Sequence, residues 1–161
     1  VNTIITEASL FATAIGIQMA QLLTILLFVQ IVAFPASIMF GHLAKSVGER
    51  LMIIIGIIIY IVIAIMSVFI THAWGFWVMA FLIGSAQGGI QALSRSYFGK
   101  IIPKAFAGEF FGFYNIFGKF SAVLGPLLFG SVAAITGQVQ LGAASLLIFF
   151  VLGGWIFIKY A

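Results

Sequence analysis

The 161 residues are 64% hydrophobic and only 6% charged, with seven bases against three acids and a formal net charge of +4, and the mean hydropathy is +1.31. Soluble domains carry about a quarter of their residues as Asp, Glu, Lys and Arg, so a water-soluble globule is excluded and lipid is the solvent for most side chains. The absence of cysteine excludes disulfides, thiolate metal sites and thiol nucleophiles, and bases isolated between apolar runs exclude a nucleic-acid face.

The chain opens on Val1-Asn2-Thr3-Ile4, with no methionine, basic n-region or cleavage signal, the pattern of a sequence cut at its front. Ile4, Ala8, Phe11 and Ile15 recur at helical spacing while Asn2, Thr6, Glu7 and Thr13 take other faces. Residues 1–17 are therefore expected to be the end of a truncated preceding helix, too polar to span alone. Five stretches then reach the roughly 20 apolar residues that a crossing helix needs: 22–43, 51–70, 74–98, 110–135 and 141–158. Their separators are short and polar or flexible, and runs of this length without alternation or Asn-Gly turns argue against a β-barrel. The expected fold is all-α, a polytopic membrane helical bundle forming one transmembrane half-domain over residues 1–161.

Lys45 and Arg50 fall between the first and second spans, Lys100 and Lys104 between the third and fourth, and Lys159 after the fifth, while the other two connections hold no Lys or Arg. Because these residues concentrate on cytoplasmic flanks, that side and the C-terminus are read as cytoplasmic. Trp74 and Trp77 sit at the opposite boundary, where interfacial indoles are favoured.

Within the spans, polar residues are few. Gln30 is a lone amide in the first. In the third, Gln87 and Gln91 share a face with Ser94 flanking them, and Arg95 lies near the basic end, where a structural clamp on helix ends is the simplest role. Asn115 and Lys119 stand four apart on the fourth span beside Tyr114, so two successive helices each carry a polar stripe that must face protein or water. Lys119 comes ten residues after Glu109, about 15 Å into a core about 30 Å thick. An ammonium at that depth costs at least about 2.5 kcal/mol, and no span holds an acid to pair with it. It either faces a water-filled cavity, meeting an anionic substrate group or a carboxylate from further sequence, or snorkels along the helix and bonds backbone carbonyls. The amides serve substrate contact or interhelical hydrogen bonding equally well. Gly84 with Gly88, and Ser121 with Gly125, are small-xxx-small pairs that predict close helix contacts, and Pro126 loosens the fourth span.

Catalysis would need a nucleophile with a base, or clustered metal ligands. His42 and His72 fall at opposite membrane faces, no acid is intramembrane, and no phosphate-cradling Gly-Lys-Ser/Thr loop occurs. No enzyme activity, metal or cofactor is expected, and passive or ion-coupled transport is favoured.

Gly41-His42-Leu43-Ala44-Lys45-Ser46-Val47-Gly48-Glu49-Arg50 resembles the Gly-x-Leu-Ala-Asp-Arg-x-Gly-Arg-Arg loop signature of the major facilitator superfamily, in its second copy. Gly41, Leu43, Ala44, Gly48 and Arg50 match; Lys45 replaces the usual acid, and Ser46 and Glu49 replace usual bases. Two further stretches, Gln87 through Ser96 and Glu109 through Phe120 followed by Gly125-Pro126, resemble the vacuole-effluxer branch, the autophagy-related amino-acid effluxer-like family. The likeness covers essentially the whole chain. It implies helices eight to twelve of a twelve-helix secondary transporter, its C-terminal half, with the substrate path near the midplane between two six-helix halves working by alternating access. The implied partners are the lipid bilayer, the missing N-terminal half and a small polar solute. Fungal members resemble exporters of amino acids from the vacuole. Lys119, Asn115, Gln87, Gln91 and Gln30 become cavity candidates; Arg95, Gly41, Gly48, Arg50, Gly125 and Pro126 become structural or gating candidates. The membrane expected from this likeness is the bacterial inner membrane, or the vacuolar one in a eukaryote. A self-contained membrane scaffold or assembly subunit, pairing through its glycine faces, is the alternative.

Overall fold

A computed structural model describes residues 16–69 and 72–160; of the helix end expected at 1–17, residues 1–15 lie outside the described residues, and Gly16 and Ile17 are not helical. The elements are α1 (Met19–Val47), α2 (Glu49–Phe69), α3 (Ala73–Ile101), a 3-10 turn (Lys104–Phe106), α4 (Ala107–Thr136), α5 (Val139–Ser145) and α6 (Leu147–Tyr160). No strand occurs among the described residues. Five helical stretches are long and apolar enough to cross a membrane, α5 and α6 together making the fifth.

The helices stop where the backbone requires it rather than where hydropathy falls. Val47 is followed by a single non-helical residue, Gly48, before α2 begins. Gly48 has φ +95°, a conformation that a side chain disfavours, and its N–H still bonds the Ala44 carbonyl at 3.0 Å. α3 runs on past Lys100 because nothing breaks it before Ile102-Pro103; Ile102 is pushed to the extended conformation that precedes proline. α4 closes on Gly137 in the left-handed region, its N–H bonded to the Ala133 carbonyl at 2.9 Å. The fifth span was expected to be one helix; it tightens at Leu146, whose N–H reaches the Ala143 carbonyl at 3.2 Å. The Ser145 hydroxyl, donating to the Gly142 carbonyl at 2.6 Å, is a local bond of the kind that bends helices.

The core is built by α1, α2 and α3. Leu22, Ile25 and Val29 of α1 meet Tyr60 and Ile63 of α2 and Phe76, Met79, Ile83 and Ile90 of α3. A second cluster at the basic end joins Phe40 and Ala44 to Met52, Ile53 and Leu93. The close contact expected of Gly84 and Gly88 is present: a methyl on Gly84 would lie 2.8 Å from the Val29 carbonyl oxygen, and one on Gly88 2.9 Å from the Ser37 β-carbon. α3 thus lies directly on the backbone of α1, the close approach that small residues permit where lipid supplies no hydrophobic drive between helices. α6 leans on α2 through Phe150, stacked on Tyr60 at 5.3 Å.

α4 belongs to neither cluster. Only Gly125 and Phe129 of its 30 residues are buried. It is held by α5, where a methyl on Gly142 would come within 2.8 Å of the Phe129 carbonyl oxygen, and by rings at its start. Phe98 of α3 meets Phe111 at 5.6 Å and Tyr114 at 4.9 Å between centroids.

Candidate functional site

Two fixings, one at each end of α4, leave a gap along its middle. A cleft of about 890 Å³ lies between α3, α4 and α6. Gln91, Ser94 and Arg95 line it from α3, Tyr114, Asn115, Lys119 and Ser121 from α4, and Phe149 and Phe150 from α6. The helical periods explain the grouping: Gln91 and Arg95 are four apart on one face, as are Asn115 and Lys119 on the facing helix. The ring trio bounds the cleft at the basic end, since Tyr114 belongs to both.

No acid lines the cleft, whereas two cations do. The one ion pair among the described residues is elsewhere, between Glu49 and Lys100 at 3.1 Å. Neither Lys119 nor Arg95 has a hydrogen-bonding or ionic partner among the described residues, and both are exposed to the cleft side. A third polar element comes from the backbone. Pro126 stands inside α4, and lacking an N–H it cannot bond the carbonyl of Ala122 one turn earlier. Ala122 also lines the cleft. One wall therefore carries an ammonium and, three residues on, a residue whose carbonyl lacks the helical donor four residues later.

The other sequence candidates lie apart. Gln30 is exposed on α1 and lines no part of the cleft. Gln87 is half-buried, its Oε1 enclosed without a hydrogen-bond partner among the described residues, and it too is outside the cleft lining. Gly125 lines the cleft beside Pro126. Gly41 is helical with open space where a side chain would go, and nothing in the structure explains its glycine.

At the basic end, the clamp between helix ends is made by residues other than Arg95. Glu49, at a position where the loop signature has a base, accepts from the Ser96 hydroxyl at 2.7 Å as well as from Lys100. Arg50 donates through Nη2 to the Ile158 carbonyl at 2.8 Å, satisfying an end carbonyl of α6 that has no partner within the helix. α2, α3 and α6 are thereby tied at one level. Sequence reasoning missed the pair Glu49 and Lys100; the signal was an acid in a signature position with a lysine ending a helix on the same side.

The family model described as "Vacuole effluxer Atg22 like" matches residues 1–160. Over 153 residues, 95% of this chain, the sequence is 46% identical to the "Uncharacterized MFS-type transporter YxiO" of Bacillus subtilis and covers 36% of that protein. It is 26% identical over 165 aligned positions to Autophagy-related protein 22 of Kluyveromyces lactis, covering 93% of this chain and 33% of that protein. With the same-named protein of Vanderwaltozyma polyspora it shares 36% over 69 residues, 43% of this chain and 13% of the relative. The chain thus spans about a third or less of these relatives. No solved structure matches it.

Proposed function

The chain belongs to the vacuole effluxer Atg22-like family of membrane transporters, and from that premise we propose that it forms the C-terminal half of a secondary transporter carrying small carboxylate-bearing solutes, amino acids foremost, by alternating access. The observation that carries the substrate class is the cleft itself, in which Lys119 and Arg95 stand with no acid beside them. An unpaired ammonium near the bilayer midplane is costly, so its retention is best accounted for by an anion that arrives and leaves. A zwitterion suits this wall: the ammonium of Lys119 takes the carboxylate, and the Ala122 carbonyl freed by Pro126 takes the amino group. Half-opened helices in transporters use backbone carbonyls for cations in this way. Gln91, Asn115 and Ser121 supply the remaining polar contacts, and Phe149 and Phe150 an apolar surface for a side chain. The opposite wall of the path is assigned to a first half outside these 161 residues, in keeping with the fraction of each relative that the chain spans.

The test is uptake by the full-length transporter in proteoliposomes. Lys119→Ala is expected to raise KM for a neutral amino acid at least about tenfold, the worth of a charge-assisted hydrogen bond of roughly 1.5 kcal/mol or more, with Lys119→Arg retaining part of the affinity. An unchanged KM in Lys119→Ala would remove the lysine from the substrate site.

A further inference from the structure

The second cationic site lies on the outer edge of the bundle, away from the cleft. Arg50 begins α2 and reaches across to the Ile158 carbonyl, which sets its guanidinium one residue from Lys159. The Lys159 ammonium sits 5.0 Å above the Trp155 ring and 5.2 Å from that of Tyr160. Both rings face outward, Trp155 at 58% and Tyr160 at 74% exposure. No acid pairs with either cation among the described residues, because the nearby carboxylate of Glu49 is engaged by Ser96 and Lys100 on α3. Arg50 has spent one of its five N–H groups on the helix end. From this level an apolar stripe runs down α6 through Leu152, Ile156 and Ile148, each at least half exposed.

We infer that Arg50 and Lys159 form a binding site for the headgroup of an anionic phospholipid. Arg50 brings a guanidinium to the carbonyl of the residue before Lys159, so both cations stand at the same end of α6, and guanidinium and ammonium are both strong phosphate donors. The indole and phenol stand near the end of the last membrane-crossing stretch, where amphipathic rings favour the glycerol and carbonyl level of a bilayer, and the stripe below gives the acyl chains an apolar track. A soluble anion would use the cations alone; the rings and the stripe are what select a lipid. The site is independent of the transport reading, since it shares no residue with the cleft.

The experiment uses the full-length transporter in a non-ionic detergent, titrated with dioctanoyl phosphatidylglycerol and, separately, dioctanoyl phosphatidylcholine, with native mass spectrometry counting bound lipid. Phosphatidylglycerol is expected to saturate one site more tightly than phosphatidylcholine. Lys159→Gln is expected to weaken it about fivefold, the usual effect of one base at an anionic surface, and Arg50→Gln with Lys159→Gln about 25-fold if the two act additively. Lys45→Gln and Lys104→Gln remove charge from the same end on other elements and are expected to leave this binding unchanged. Equal losses in those two variants would reduce the site to diffuse attraction and overturn it. Displacement of the lipid by inorganic phosphate at equal concentration would overturn it in favour of a free-anion site. Among the described residues Lys159 makes ring contacts alone, so Lys159→Gln carries the test even where Arg50→Gln does not fold.

Discussion

Gly84 gives the sharpest test of how α1 and α3 are joined. A β-carbon there would meet the Val29 carbonyl oxygen at 2.8 Å and the Val32 β-carbon at 3.0 Å, against the 3.4 Å at which ordinary contact begins. The obstacle is backbone, which cannot rotate aside, so the helices must part by about 0.6 Å over the length of the core (the difference between the two distances). Overpacking of this kind costs about 1–3 kcal/mol. Alanine also gains about 1 kcal/mol in intrinsic helix preference over glycine, which would mask part of the loss. Gly112, on α4 with nothing within 4 Å of its added β-carbon, supplies the correction, because Gly112→Ala takes the same preference without the clash. The quantity to measure is the difference between the two variants in reversible SDS unfolding of the full-length transporter in mixed micelles, expected at about 1–3 kcal/mol with Gly84→Ala the less stable. Gly84→Ala unfolding at or above the midpoint of Gly112→Ala would refute direct backbone contact between α1 and α3.

Three further outcomes follow from separate features. Pro126→Ala restores a donor to the Ala122 carbonyl, so proteoliposome uptake should show KM for neutral amino acids raised severalfold while thermal stability is kept or increased; unchanged KM would detach that carbonyl from the site. Gly48→Ala forces a side chain onto φ +95° and should cost about 1–2 kcal/mol, whereas Gly41→Ala, helical and in open space, should be neutral or stabilising in the same unfolding assay. Lys100→Gln should lower stability by less than about 1 kcal/mol, since its side chain is 68% exposed, and Glu49→Ala by more, because it strands both Ser96 and Lys100.

The number of spans and their class were legible because the bilayer imposes a length and a polarity on each. The ends were not: residues 44–47 lie beyond the apolar run yet continue α1, since the chain meets no breaker until Gly48. The tightened turn at Leu146 escaped because no change in hydropathy marks it; the Ser145 bond to the Gly142 carbonyl beside it also occurs at Ser37, Ser67, Ser85 and Ser121 inside unbroken helices. In the cleft, four-residue spacing marked Gln91 and Asn115 with Lys119 as polar faces, and periodicity alone placed them on stripes. It did not establish that the two stripes oppose one another, which depends on α4 being fixed at its ends and free between them. Gln30 shows the limit of reading polarity without face. The buried positions of α1 run 22, 25, 29, 33, 36, 40 and 44, and residue 30 lies off that line. Proximity to a helix end points to Arg95 as a clamp, while the hydrogen bond to Glu49 is made by its neighbour Ser96, 100° further round the helix.

The seating of α4 separates two kinds of work. The cohesion of the molecule resides in α1, α2 and α3, where side chains interlock and glycines bring backbones together. The wall bearing Lys119 hangs from rings at one end and a glycine contact at the other, like a shutter on two pins. Substitutions on the wall that bears Lys119 are therefore expected to leave the packing of α1, α2 and α3 unchanged.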